Sequence, residues 1–201
     1  MAPAGRPTRD RILDAALELF GTRGVDAVSL DDIAAVVGVR KQTVLYWFTS
    51  KEELLDAVLH RSADELIVAI DAAVRRAGPG FAQIEAVVRV VFRAAVRRPE
   101  LLGLVRELDR LGPSVTTLRQ RMAPLVDRAV GYLEREMEAG RLRPADPRLT
   151  LALAYATVVG VATDPQMLAA CGWEPSISGL RRLRGALLDQ LRSSMSRTSD
   201  Q

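Results

Sequence analysis

Apolar residues recur three and four positions apart along almost the whole chain, and no segment of four or more residues alternates apolar with polar in the manner of a strand. That pattern predicts an all-α protein. The first helix is expected from Thr8, as N-cap, to Thr22, with Ile12, Leu13, Ala16, Leu17 and Phe20 on one face and Gly24 as its stop. Residues 1–7, with two prolines and a glycine, read as a flexible arm. Ser29 and Asp32 have the spacing of a capping box, in which each side chain satisfies an orphan amide of the first turn, and they open a second helix that ends at Gly38. A short third helix covers Lys41 to Trp47. Ser50 with Glu53 then caps a fourth, over residues 51–77, carrying Leu54, Leu55, Val58, Leu59, Leu66, Ile67, Ile70 and Val74. Gly78-Pro79-Gly80 terminates it.

Beyond that break the spacing predicts helices at about 81–97, 100–110, 114–139, 147–163 and 176–195, punctuated by proline and glycine, with Pro124 kinking or splitting the third of these. Leu149 to Thr163 is apolar nearly all round and must be covered on more than one side. Leu180, Leu183, Leu187, Leu188 and Leu191 form a stripe opposite Arg181, Arg182 and Arg192. Such a pair of helices suits an interface between subunits. Residues 196–201 read as a flexible end.

Within this string, SLDDIAAVVGVRKQTVLYWF (residues 29–48) has the arrangement of a helix-turn-helix. Ala34 is small enough to let two helices cross closely, and Gly38 can take the left-handed conformation of a tight turn. Val44, with Ile33 and Val37, packs the second helix onto the first. This leaves Lys41, Gln42, Thr43, Leu45 and Trp47 on or near the outward face.

Composition narrows the functional classes. A chain of 201 residues can bury about 70% of its unfolded surface without disulfides or metals. One cysteine, Cys171, and one histidine, His60, exclude an intrachain disulfide framework and a zinc site of His and Cys. No apolar run reaches the roughly 18 residues that span a bilayer, and Arg6, Arg9 and Asp10 stand where a signal peptide would be apolar, so a cytoplasmic location is expected. The net charge of +3 is too small to argue for nucleic acid by itself. Residues 1–60 hold 7 basic and 9 acidic side chains, so the N-terminal region is not basic overall. Gly38 to Lys51, however, contains Arg40, Lys41 and Lys51 and no acid. The acids Asp31, Asp32, Glu52 and Glu53 sit at helix starts, where they complement the dipole. The positive footprint is small and local.

The stretch RDRILDAALELFGTRGVDAVSLDDIAAVVGVRKQTVLYWFTSKEELLDAVL, residues 9–59, resembles the TetR family of bacterial transcriptional regulators. Its marks are IL-x-AA-x-x-LF in the first helix, Gly24 ahead of the capped second helix, IA-x-x-x-GV at the turn, a Tyr and a Phe closing the third helix, and SKEEL opening the fourth. The resemblance implies a three-helix DNA-binding domain over residues 8–52 whose third helix enters the major groove. The fourth helix, residues 51–77, would connect it to a larger helical regulatory and dimerisation domain over 53–195. Lys41, Gln42 and Thr43 occupy the family's base-reading positions, and Ser29, Arg40, Tyr46, Trp47 and Lys51 match positions that meet the DNA backbone. Lys can donate to guanine O6 and N7, Gln can pair bidentately with adenine, and hydroxyls and helix N-terminal amides hold phosphate oxygens. The helix-turn-helix core would be Ile33, Ala34, Gly38 and Val44. Arg40 where a small capping residue is usual, Gln42 where Gly is frequent and Leu45 in place of a common Tyr point to a different operator.

The implied protein is a homodimeric repressor of a palindromic double-stranded operator, released by a small apolar or amphipathic effector, with no cofactor, no metal and no membrane partner. Phe81, Phe92, Met122, Tyr132, Tyr155, Met167 and Trp173 are candidate cavity residues, each of which core packing would also explain. Leu180, Leu183, Leu187 and Leu191 are the candidate dimer interface. Control by a protein partner, or a ligand-independent architectural DNA binder, is the competing reading. An enzyme finds no phosphate loop, metal pair or catalytic triad to support it.

Overall fold

The computed structural model describes residues 7–107, 113–163, 169–174 and 176–195. The described elements are all helices: α1 (Thr8–Arg23), α2 (Leu30–Val37), α3 (Lys41–Trp47), α4 (Lys51–Arg76), α5 (Phe81–Arg97), α6 (Glu100–Glu107), α7 (Pro113–Glu138), α8 (Pro147–Thr163) and α9 (Ile177–Met195). The expectations for residues 1–6, 108–112, 196–201 and Met167 lie outside the described residues. One local reading is corrected and one narrowed. Thr8 is already helical and Pro7 stands at the N-cap of α1, without a side-chain cap. Proline lacks one of the four amides that a helix start leaves unsatisfied, so α1 begins with one orphan donor fewer although no side chain caps it. Of the two outcomes expected at Pro124, a kink or a split, the split does not occur: α7 runs through it, although the ring removes one main-chain hydrogen bond.

The chain divides into two compact units. The first joins Met1–Asp64 to Arg98–Arg121, and the second joins Glu65–Arg97 to Met122–Gln201. This differs from a boundary drawn at 52/53, because a stretch distant in sequence, including α6, belongs with the N-terminal helices.

In the first unit the core is Ile12, Leu13, Leu17, Phe20, Ile33, Val44, Phe48, Leu54 and Val58, all at most 2% exposed. Each contributes about 1.5–3 kcal/mol of burial, which is why such short helices persist. Leu104 of α6 is buried in the same cluster, with Leu101 and Leu118 packed against it. A glycine contact lets α6 approach: a Cβ on Gly103 would lie 1.8 Å from the Gly21 carbonyl oxygen, and one on Gly21 would lie 2.2 Å from that of Glu100.

In the second unit Val88, Phe92, Leu133, Leu142, Leu187, Leu188, Leu191 and Met195 form the core. Glu136 is a buried carboxylate there, 5% exposed. It accepts hydrogen bonds from the Gly80 amide at 2.8 Å and from Arg141 Nε at 2.6 Å. Tyr132 donates to the Gly80 carbonyl at 2.7 Å, so both main-chain polar groups of Gly80 are held from α7. The Arg141 guanidinium holds the Glu136 carboxyl below its usual range, against the opposing effect of burial.

Candidate nucleic-acid interface

The turn between α2 and α3 follows from three local choices. Ser29 caps α2: its hydroxyl accepts from the Asp32 amide at 3.2 Å, and the Asp32 carboxylate accepts from the Ser29 amide at 2.8 Å. Donation to it from the Ser29 hydroxyl and from the Ser29 amide holds the Asp32 carboxyl below its usual value. Gly38 then takes φ 74° and ψ 38°, the left-handed region that an L side chain resists. The Gly38 amide reaches Ala35 O at 3.2 Å and the Val39 amide reaches Ala34 O at 3.0 Å, satisfying the last carbonyls of α2 in a Schellman arrangement. Ile33, Ala34 and Val44 are buried at the crossing of α2 and α3.

Helix α3 buries Val44 and turns most of its remaining surface outward. Arg40, Lys41, Gln42, Tyr46 and Trp47 are exposed, while Thr43 and Leu45 are half-buried. Arg40 sits at the N-cap in an extended conformation with no side-chain cap bond, in keeping with its departure from a small capping residue. Tyr46 is 79% exposed and Trp47 41%, their rings meeting edge to face at 5.3 Å between centroids. Phe48 turns inward beneath the Arg9 guanidinium, 5.3 Å from the ring centroid.

Two residues expected to touch phosphates have their donors engaged inside the unit. The Ser29 hydroxyl lies 2.5 Å from the Asp32 carboxylate and donates to it. The Lys51 ammonium donates to Val25 O at 2.8 Å and Val28 O at 3.0 Å, closing the α1–α2 connection. The cap of α4 is likewise rearranged. Ser50 Oγ accepts from the Glu53 amide at 3.1 Å, but Glu53 turns to the Thr49 amide at 2.7 Å instead of completing a box with Ser50. The bonds from Thr49 lower the Glu53 pKa. One partner was not anticipated at all: Lys41 Nζ stands 2.7 Å from Asp31 Oδ2 on the first turn of α2.

The second unit holds a cavity of about 540 Å³, within the usual range for small-molecule sites. Ile84, Val88, Leu133, Leu151 and Leu191 form apolar walls, while Tyr132, Arg75, Arg135 and the Asp71–Arg128 pair, 2.9 Å apart, supply polar groups. Burial, with Glu136 nearby, pushes the Tyr132 phenol above its usual value. Of the six candidate cavity residues among the described residues, Tyr132 alone lines this space. Phe92 is buried in the core, Phe81 packs at its edge under Arg192, Met122 is half-buried outside the lining, and Tyr155 is 64% exposed. Trp173 is tied through Nε1 to the Gly179 carbonyl at 3.1 Å. An aromatic side chain identifies an apolar position, not which of two apolar environments it occupies. The lining residues Ile84 and Val87 carried no distinguishing signal, and Arg75 and Arg135 read as surface charges.

On α9, Leu187 and Leu191 are buried in the core of the second unit, with Leu180 and Leu183 packed partly against it. Among the described residues, the exposed apolar side chains include Leu149, 57% exposed, and Leu153, 62%, one turn apart on α8.

Comparison with known proteins bears on the same regions. The family described as "Bacterial regulatory proteins, tetR family" matches residues 12–58. The HTH-type transcriptional regulator TtgW of Pseudomonas putida is 47% identical over 58 residues, 29% of this chain and 43% of TtgW, so the chain spans less than half of that relative. RutR of Escherichia coli (strain K12), another HTH-type transcriptional regulator, is 28% identical over 164 residues, 80% of this chain and 77% of RutR. Among solved structures, the transcriptional regulator FadR from Bacillus subtilis, in complex with stearoyl-CoA, superposes with a TM-score of 0.76 at 19% identity, covering 92% of this chain and 98% of FadR.

Proposed function

We propose, from the match of residues 12–58 to the family described as "Bacterial regulatory proteins, tetR family", that the chain is a DNA-binding transcriptional repressor of that family, a homodimer on a palindromic operator, released by a small amphipathic effector. The observation that carries the DNA reading is α3: seven residues that bury one valine while exposing, with the Arg40 that precedes them, two cations, an amide and two aromatic rings. A helix of that length has no packing reason to stay so bare, and the side chains are those that donate to base edges and phosphates. Lys41, Gln42 and Thr43 are the proposed base readers. Arg40, Tyr46 and Trp47 are the proposed backbone contacts, joined by the amides, not the hydroxyl, at the start of α2.

Effector control is supported by the cavity, whose apolar walls and arginines at positions 75 and 135 suit a ligand with an apolar body and an anionic head. Stearoyl-CoA, which FadR binds, has that character. Dimerisation is proposed through the open face of α8, Leu149, Ala152, Leu153 and Ala156, since an apolar stripe of this kind calls for a covering partner. Two half-sites read together would offset the small charge of each domain. Among the described residues no helix is long and apolar enough to cross a membrane.

The test is selection of duplexes from a random pool, followed by titration of the enriched duplex with and without stearoyl-CoA. An inverted repeat bound by two chains, with affinity falling as acyl-CoA is added, is the expected outcome. By linkage, DNA must weaken acyl-CoA binding by the same factor. Equal acyl-CoA affinity for free and DNA-bound protein would remove effector control by this class, and failure to enrich any duplex would remove the DNA reading.

A further inference from the structure

We propose that Asp31 is a positioning residue that sets how sharply α3 distinguishes its operator from other DNA, acting through Lys41; this rests on the DNA-binding reading above. Lys41 opens α3, the helix that would enter the groove, and its ammonium is 2.7 Å from the Asp31 carboxylate. The two side chains are 45% and 65% exposed, so the pair is open to an approaching duplex. Around it the charge is sparse. Arg40 is exposed beside Lys41, the Lys51 ammonium is engaged by Val25 and Val28, and the Asp32 carboxylate is engaged by Ser29. Asp31 therefore decides whether the start of α3 presents one cation or two.

The two kinds of DNA contact respond differently to that carboxylate. A phosphate taken up by Lys41 carries a full negative charge and would sit well within a Debye length of Asp31, where like charges repel. Guanine O6 and N7 are neutral acceptors and meet no such repulsion. Asp31 thus weakens Lys41 as a general phosphate anchor more than as a reader of a base edge. The pair is open to water, which screens it, so Lys41 is oriented by Asp31 and not locked. Specificity here arises from a built-in penalty against the wrong contact.

The experiment compares the wild-type chain, Asp31→Asn, Lys41→Ala and the double variant. Each is titrated with the duplex that the wild type enriches from a random pool, and with a shuffled duplex of equal composition, between about 50 and 200 mM salt. Asp31→Asn is expected to tighten binding to the shuffled duplex about threefold per half-site, or about tenfold for a dimer. The enriched duplex should change by less than about twofold, and the salt dependence on shuffled DNA should steepen by about one to two in the log-log slope. In the Lys41→Ala background these changes should vanish. Asp31→Ser, which also removes the carboxylate, should reproduce the shift, with a melting temperature lowered by no more than a few degrees through the lost dipole and ion-pair interactions. The proposal is overturned if the ratio of affinities and the slope stay as in wild type, or if the effect of Asp31→Asn persists without Lys41. A wild-type chain that enriches no duplex would overturn the DNA reading together with it, whereas enrichment with an inert Asp31 overturns this inference alone.

Discussion

Lys51→Met separates a structural role for this lysine from a role at the DNA backbone. Methionine keeps an unbranched apolar stem while deleting the ammonium that donates to Val25 O at 2.8 Å and Val28 O at 3.0 Å. A hydrogen bond to a charged group contributes about 1.5–3 kcal/mol net when its loss leaves a buried partner unmade. Lys51 is only half-buried, so water can reach the freed carbonyls and the lower end applies. Two bonds then give about 3 kcal/mol. At about 2–4 °C per kcal/mol for a chain of this size, the melting temperature should fall by about 6–12 °C. Circular dichroism melts at neutral pH read this directly, with titration of the enriched duplex at several salt concentrations in parallel. The structural role predicts the fall in melting temperature with a salt slope within error of wild type at temperatures where the variant is folded. An unchanged melt with a slope flatter by about one per protomer would refute the reasoning, because Lys51 would then be neutralising a phosphate.

Three further outcomes follow from the packing. Gly103→Ala places a methyl against the Gly21 carbonyl, where a Cβ would sit at 1.8 Å. It should destabilise the first unit by about 1–3 kcal/mol in a denaturant titration, whereas Gly185→Ala, with open space around its Cβ, should not. Glu136→Gln should cost about 1–2 kcal/mol, a range held down by the half-exposed Arg141 partner. The Glu136 pKa is depressed on folding, so its contribution is present above the usual 4.5 and lost as pH falls through the lower folded value. The melting-temperature gap between wild type and Glu136→Gln should accordingly close below about pH 4.5, and a gap that widens on acidification would contradict the assignment. Leu149→Asp with Leu153→Asp should give monomers by light scattering with an unchanged helical spectrum, while Leu187→Asp should unfold the second unit; a double variant that stays dimeric would move the interface off α8.

Much of the helix-turn-helix was legible before any coordinates, because its determinants are local. The Ser29–Asp32 cap spans four residues, Gly38 declares its turn through the absence of a Cβ, and the four-residue spacing of Ile33 and Val37, with Val44 as the apolar residue of the next helix, states which faces meet. The bounds of α3, α5 and α8 likewise follow from caps, proline and glycine breaks and periodicity. Long flexible side chains were less readable. Lys51 and Lys41 each have reach enough to serve phosphate, base or protein, and only their surroundings choose between Val25 O, Val28 O and Asp31.

The tertiary structure alone decided the matters that depend on residues far apart in the chain. That Arg98–Arg121 joins the first unit turns on the close approach of Gly21 and Gly103, which no window of periodicity contains. That Leu187 and Leu191 face their own core while Leu149 and Leu153 remain open could not be read from hydrophobicity, which is the same quantity for both pairs. Amphipathic spacing says that a face must be covered; which element covers it, and whether that element belongs to the same chain, is settled by how helices of given length and connection fill space together.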